Sequence, residues 1–334
     1  MRLASTLAAV AVIALSAPAQ AQLKELSFGI ISTESTQNLK QDWMPFLEDM
    51  EKQTGLKVNA FFSPDYAGII EGMRFNKVQA AWYGNKAAME AVDRAGGEVF
   101  AQSVDIDGNP GYWSHLIVHK DAAGLNSAED VLKKAGELAF GNGDPNSTSG
   151  FLVPGYYVFA QNGVQDPKKI FKRTVSANHE TNALAVANRQ VDVATNNSEN
   201  LTKLKERFPD KHAQLKVVWT SPLIPSDPLV WRKDLAEADK KRIKDFVLGY
   251  GVATPGKAEA EVARERKVLA GLKWAPFKPS TDAQLIPIRQ LELFKERSKV
   301  EAAADMPEAD RKARLAQIDA DLAALQKQAT VAAK

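Results

Sequence analysis

Short apolar runs of strand length alternate along this chain with amphipathic runs of helix length, and that alternation constrains the fold more than any other feature. Residues 26–32 read as a strand, 39–53 as an amphipathic helix and 57–62 as a strand. Residues 66–76 read as a helix, 79–83 as a buried strand, 85–95 as a helix and 99–103 as a strand. Spacing of this kind predicts a parallel sheet with helices on both faces. The run 112–119 is longer and serves as a crossover into a second unit. That unit repeats the pattern, with helices at 127–135, 179–188 and 201–207 and strands at 137–140, 172–176, 191–195 and 216–220. The Pro-rich stretch 222–228 reads as a return hinge, and 229–232 as a strand re-entering the first unit. Past Ala236 a helical chain is expected, broken around 274–279.

Two α/β lobes joined by two strand crossovers make a clam-shaped molecule. The expected organisation is a leader at 1–21, lobe 1 from 22–117 and 226–300, lobe 2 from 118–225, and a helical tail at 301–334. In such sheets ligands bind beyond the carboxyl ends of the strands, so the cleft between the lobes is the expected site. The tail carries Leu315, Ile318, Leu322 and Leu325 at helical spacing. It either packs on its own body or forms a homodimer contact.

The compartment follows from the first residues. Arg2, an apolar run to Pro18 and Ala19-Gln20-Ala21 have the order of a cleavable secretory signal, too short for a stable membrane anchor. Export to the periplasm is the expectation. The chain has 0 Cys, which removes disulfides and thiolate chemistry. Its formal charge is +2, and loss of residues 1–21, whose only charge is Arg2, leaves +1. A near-neutral chain of this kind argues against a nucleic-acid or membrane-surface partner.

The segment Gly141-Asn142-Gly143-Asp144-Pro145-Asn146-Ser147-Thr148-Ser149-Gly150 lies between a strand-like and a helix-like run. Strand, Gly-rich turn, hydroxyl cluster and helix is how a chain builds an anion cradle. The free N–H groups of the first helical turn face the ligand, and the hydroxyls add neutral donors. No Lys follows the glycines as in a nucleotide loop, and the third glycine of the dinucleotide fingerprint is missing. The ordinary role of Ser147 or Ser149 is to cap the helix. Three consecutive hydroxyls, Ser147, Thr148 and Ser149, with Asn142 and Asn146 alongside, favour an oxyanion site.

Other cleft candidates sit at strand ends. Asp65 is a natural cap for the helix that Tyr66 opens, which aims Tyr66 at the cleft. Trp82 reads as core, with Tyr83 and Asn85 left open as lining. Tyr112 faces the cleft from the hinge. His179 opens a helix on the same edge as the hydroxyls, where a charged hydrogen bond to a dianion competes with a structural role. Asn196 is placed to cap the next helix, with Glu199 in its first turn. Asp227, alone, is a turn residue. Together Glu199 and Asp227 provide two carboxylates able to meet near the cradle and accept a cation, so the ligand would be an anion at one end and an amine at the other. His115 and His119 share a strand face without a third ligand, so no metal site is expected, nor any cofactor.

Several runs make the pattern specific: Phe28 through Ser35, Asp65 through Ile70 with Met73 through Val78, Gly141 through Tyr157, and Asn182 through Gln190. In these the chain resembles the periplasmic phosphonate-binding proteins of phosphonate ABC transporters, close to the 2-aminoethylphosphonate-binding type, over roughly residues 24–295. The resemblance implies a two-lobed type II solute-binding fold that delivers phosphonates to a membrane permease with a cytoplasmic ATPase. By matching position it implies Ser147, Thr148, Ser149 and His179 on the phosphonate oxygens, with Tyr112 closing over them. Tyr66, Glu199 and Asp227 would surround the aminoethyl group. The family's C-terminal helices are associated with dimerisation, and here the tail departs most.

Two rival readings are open. A binding protein for phosphate, phosphite or a sulfonate would leave two buried carboxylates without a cation, which is costly. A secreted phosphatase or phosphonate hydrolase would need a metal cluster or an activated nucleophile, and no G-x-S-x-G elbow or clustered His/Asp set is present. Hydroxyls without a base bind rather than attack.

Overall fold

A computed structural model describes residues 22–332; the expected leader, residues 1–21, lies outside the described residues. In chain order the strands are β1 (Glu25–Ile30), β2 (Lys57–Phe62), β3 (Ala80–Trp82), β4 (Gly97–Asp105), β5 (Gly111–Tyr112), β6 (Ser114–His119), β7 (Ala139–Asn142), β8 (Arg173–Ser176), β9 (Val193–Asn197), β10 (Leu215–Thr220), β11 (Ile224–Pro225), β12 (Pro228–Arg232) and β13 (Trp274–Pro279). One six-stranded sheet runs β13-β4-β12-β3-β1-β2 and one five-stranded sheet runs β10-β6-β9-β7-β8. The short pair β5 and β11 lies where the chain crosses between the lobes and crosses back.

Both sheets are mixed rather than parallel. β1 pairs in parallel with β2 and β3, but β12 is antiparallel to β3 and β4. In the second sheet β7 is parallel to β8 and β9, while β6 is antiparallel to β9 and β10. The reason is the double crossing: β6 and β12 enter their lobes from the hinge, at the edge where the parallel strands end. They must therefore run the opposite way.

Three sequence expectations change. The run at 112–119 is not one strand: β5 pairs with β11 and β6 belongs to the second sheet, so lobe 2 begins before residue 118. The helix break at 274–279 is an edge strand, β13, on β4. Pro276 and Pro279 fit an edge, and the register slips between Ala275 and Lys278. The anion-loop strand runs to Asn142, not Phe140, so Gly141 and Asn142 belong to the sheet.

Helix Thr36–Thr54 shows how sequence sets an element. Ser35 Oγ accepts the Asn38 N–H at 3.3 Å to start it. Leu39, Trp43, Phe46, Leu47 and Met50 then form one buried stripe. Gly55, at φ +69°, ends it and returns its N–H to Glu51. In lobe 2 the cores sit on both faces of the sheet: Leu116 and Val118 enter one cluster and Ile117, between them, the other. Helix Glu308–Ala332 packs on helix Ile286–Glu301 of its own chain through buried Ile318 and an Arg297–Asp319 pair at 2.9 Å.

Candidate functional site

The carboxyl ends of β3, β7 and β9 and the hinge meet at a closed cleft. Ser147, Thr148, Ser149, His179, Tyr112, Tyr66, Glu199 and Asp227 all line it, whereas Tyr83, Asn85, Asn142, Asn146 and Asn196 do not.

The cradle comes from an unusual helix start. Gly143 must be glycine because the loop folds onto itself: its N–H bonds Gly150 O at 3.0 Å, and a Cβ there would stand 2.5 Å from Gly150 backbone. Past Ser147 the helix is wide, with Leu152 N reaching back five residues to Ser147 O at 3.1 Å. Pro154 has no N–H to give the turn before it. The Ser149 carbonyl takes its hydrogen bond instead from Ser114 Oγ on β6, at 2.6 Å.

Each of the three hydroxyls already accepts a protein N–H. Ser147 Oγ caps Gly150 N at 2.9 Å, Thr148 Oγ1 accepts Lys86 N at 2.8 Å, and Ser149 Oγ accepts Asn197 Nδ2 at 3.1 Å. Their own protons are thereby left to be donated, and the cavity is where an acceptor fits. Ser147 is thus both cap and lining. His179 Nε2 stands 3.5 Å from Ser147 Oγ and 3.4 Å from Ser149 Oγ, while its Nδ1 is buried with no partner. Burial lowers its pKa to about 4. In the closed cradle the imidazole is therefore neutral, the charged hydrogen bond being the disfavoured one of the two roles left open by the sequence: the buried site penalises the cation and no carboxylate offsets it.

The other side of the cavity is acidic and aromatic. Asp227 is buried and its Oδ1 accepts Tyr112 Oη at 2.9 Å and Asn85 Nδ2 at 3.3 Å. Tyr112, expected over the anion, is here the partner of the acid. Tyr66 stands between the two ends: burial, then the charges of Asp144 and Asp227, push its phenol well above the ordinary value against a hydrogen bond with Ser147, and Glu199 adds to the rise. Burial pushes Glu199 up to about 7 against the pull of Lys203. Burial, and then the charge of Glu199, push Asp227 well above the usual carboxylate range. Two acids that resist ionising together form a site short of a cation.

The ends are close. A Cβ on Gly84 would stand 3.4 Å from Thr148 Oγ1 and 3.9 Å from Asp227 Oδ1, so these oxygens lie within about 7 Å of each other. That separation is within the span of one small ligand.

Several lining residues had no sequence signal. Trp43, Trp82 and Trp274 form a mutually packed wall, with ring centroids 5.4, 5.3 and 5.6 Å apart. Trp82 thus lines the cleft, whereas Tyr83 is core, its hydroxyl on Ile69 O at 3.0 Å. The expected assignment was reversed, because strand alternation decides which neighbour faces in and a three-residue strand hides its phase. The cap of helix Ser198–Arg207 is Asn197, not Asn196; Asn197 Oδ1 accepts Asn200 N at 2.7 Å, while Asn196 Nδ2 holds His179 O at 2.8 Å. Lys203, on that helix, crosses the cleft to Glu34 at 2.9 Å and Asp42 at 3.3 Å. Arg207 joins the same two acids. Burial opposes the charge of Lys203, but Glu34 and Asp42 outweigh it and hold its pKa above the ordinary value. Among the described residues no group of three or more His, Cys, Asp or Glu is arranged to hold a metal ion.

Comparison with known proteins places this geometry. Residues 28–285 match the family described as the periplasmic substrate-binding protein of the phosphonate ABC transporter. The phosphonates-binding periplasmic protein of Escherichia coli is 62% identical over 306 residues, covering 92% of this chain and 87% of that protein. A binding-protein component of an ABC phosphonate transporter from Pseudomonas aeruginosa superposes with a TM-score of 0.88 at 56% identity, covering 94% of this chain and 100% of that one. A phosphate-import protein of Mycolicibacterium smegmatis is 31% identical over 207 residues, 60% of this chain and 63% of its own length.

Proposed function

Because the chain belongs to the periplasmic phosphonate-binding proteins of ABC importers, a family of substrate-binding components and not enzymes, we propose that its ligand is an aminophosphonate, 2-aminoethylphosphonate being the best fit. It serves a membrane permease with its ATPase, as the family does. The observation that carries the finer reading is the acid pair. Glu199 and Asp227 are held up by burial in a cavity whose opposite wall presents three hydroxyl donors. An ammonium group would let both ionise; a ligand without one leaves the conflict in place. Ser147, Thr148, Ser149 and neutral His179 hold the phosphonate oxygens, and Glu199, Asp227, Tyr66 and Tyr112 surround the amine. Residues 1–21 act as a cleaved leader that takes the chain to the periplasm, and intact-mass measurement of the exported protein locates the cut.

Phosphate is the reading favoured next, since the cradle alone would hold it and one relative imports it. Calorimetric titration of protein stripped of co-purified ligand separates the two. Tight binding of 2-aminoethylphosphonate, with methylphosphonate weaker by a few kcal/mol, is expected. Equal binding of the two, or binding of phosphate alone, contradicts the assignment.

A further inference from the structure

The cavity accounts for the ligand but not for why the lobes stay shut, and four hydrogen bonds across the cleft, made by three helix N-termini, address that. Three lobe 1 helices point their N-termini at lobe 2: Thr36–Thr54, Tyr66–Arg74 and Asn85–Arg94. Each has backbone N–H groups with no partner inside its own helix. For the first, Ser35 N donates to Glu180 Oε1 at 3.2 Å, and Asn38 Nδ2 donates to Glu180 Oε2 at 2.6 Å. For the second, Tyr66 N donates to Asp144 Oδ2 at 3.2 Å. For the third, Lys86 N donates to Thr148 Oγ1 at 2.8 Å. All three acceptors belong to lobe 2, and neither Glu180 nor Asp144 lines the cavity.

The local caps make the division of labour plain. Ser35 and Asp65 each cap one N–H of their own helix. The third helix has Gly84 at its cap and no side-chain cap of its own. A Cβ there would lie 3.4 Å from Thr148 Oγ1, in van der Waals contact with it. We infer that Glu180, Asp144 and Thr148 are positioning residues that complete the caps of three lobe 1 helices when the lobes meet, so that ligand retention depends on them although two never touch the ligand. Opening the hinge returns all three sets of N–H groups to water; closing gives them acceptors, two of them carboxylates placed at the positive ends of helices. Thr148 links closure to the ligand. Its oxygen is occupied by the Lys86 N–H only in the closed form, which turns its proton toward the bound oxyanion.

The test uses Asp144→Asn and Glu180→Gln in the full mature chain. Asn at 144 can keep the local bond from Asn146 N, now made to Oδ1 at 2.7 Å, while presenting an N–H donor to Tyr66 N. With 2-aminoethylphosphonate, each variant should bind about 5- to 30-fold more weakly, the loss appearing as faster dissociation with little change in association. The ligand-free melting temperature should not move, because these bonds are absent when the lobes are open. Methylphosphonate should suffer the same fold-loss, since the caps do not sense the amine. Unchanged dissociation rates would overturn the inference, as would an equal drop in ligand-free stability, which marks a merely structural role. If wild-type protein binds inorganic phosphate and not the aminophosphonate, the same comparison is made with phosphate. The ligand assignment then fails while the capping inference is still decided by the dissociation rates.

Discussion

The two ends of the cavity are built on opposite principles. The anion end is electrically neutral: hydroxyls whose oxygens are already occupied, an imidazole kept uncharged by burial, and no lysine or arginine among the residues called for it. The cation end holds two buried carboxylates that raise each other's energy, walled by tryptophans. With the aminophosphonate proposed above as ligand, the difference teaches where discrimination would reside. A preorganised set of neutral donors accepts any small tetrahedral oxyanion at modest cost. A charge conflict penalises every ligand that does not resolve it, which is selection by an unfavourable alternative.

The largest expected effect comes from breaking the cation end. Asp227→Ala removes the acceptor of Tyr112 Oη and Asn85 Nδ2 as well as a charge. Titration should show 2-aminoethylphosphonate binding weakened by about 2–5 kcal/mol, with methylphosphonate changed far less. Breaking the anion end should be milder and unselective. Ser149→Ala should cost both ligands about 1–2 kcal/mol, because one donor is lost from a set and Asn197 Nδ2 loses its acceptor.

Next in size is the pH dependence. With the lobes closed, burial holds Glu199 at about 7, and an ammonium beside it would lower that value. Affinity for the amine ligand should therefore be fully present above about pH 7 and be lost as pH falls through it. Lys203, Asp105, Asp227 and Glu34 all face this group and shape the curve. Methylphosphonate, measured in parallel, removes the ligand's own phosphonate titration from the comparison. The smallest effect is on stability. The raised Glu199 pKa favours the folded state only while the group is protonated, below its unfolded value, and that contribution is lost as pH rises through about 7. Glu199→Gln should consequently stabilise the closed, methylphosphonate-bound protein at pH 8 by about 1–2 kcal/mol in chemical denaturation, and not at pH 4.

Much of this was legible in the sequence because it rests on local signals. Gly-rich turn, hydroxyl run and helix start are adjacent residues, so the candidate cradle could be read from ten positions. Glu199 could be named as a helix-start acid and Asp227 as a hinge-turn acid, and the two hinge crossings showed as an extended run and a Pro-rich one. What was missed depends on contacts between distant segments. The Trp43, Trp82 and Trp274 wall unites three elements, the Lys203 and Arg207 pairs span the lobes, and the edge strand β13 looked like a helix break because its prolines are tolerated only at an edge. The neutrality of His179 was also hidden, since burial depth rather than residue type decides it. Strand direction, too, follows from the double crossing and not from any run of residues.

The most direct test of the central claim is the ratio of affinities for 2-aminoethylphosphonate and methylphosphonate, measured by calorimetry on wild-type protein and on the Glu199→Gln, Asp227→Asn double variant. If the acid pair is the selector, the ratio is large in the wild type and collapses toward one in the variant, with methylphosphonate still bound. A ratio that survives the loss of both carboxylates would place discrimination elsewhere in the cavity and contradict the account.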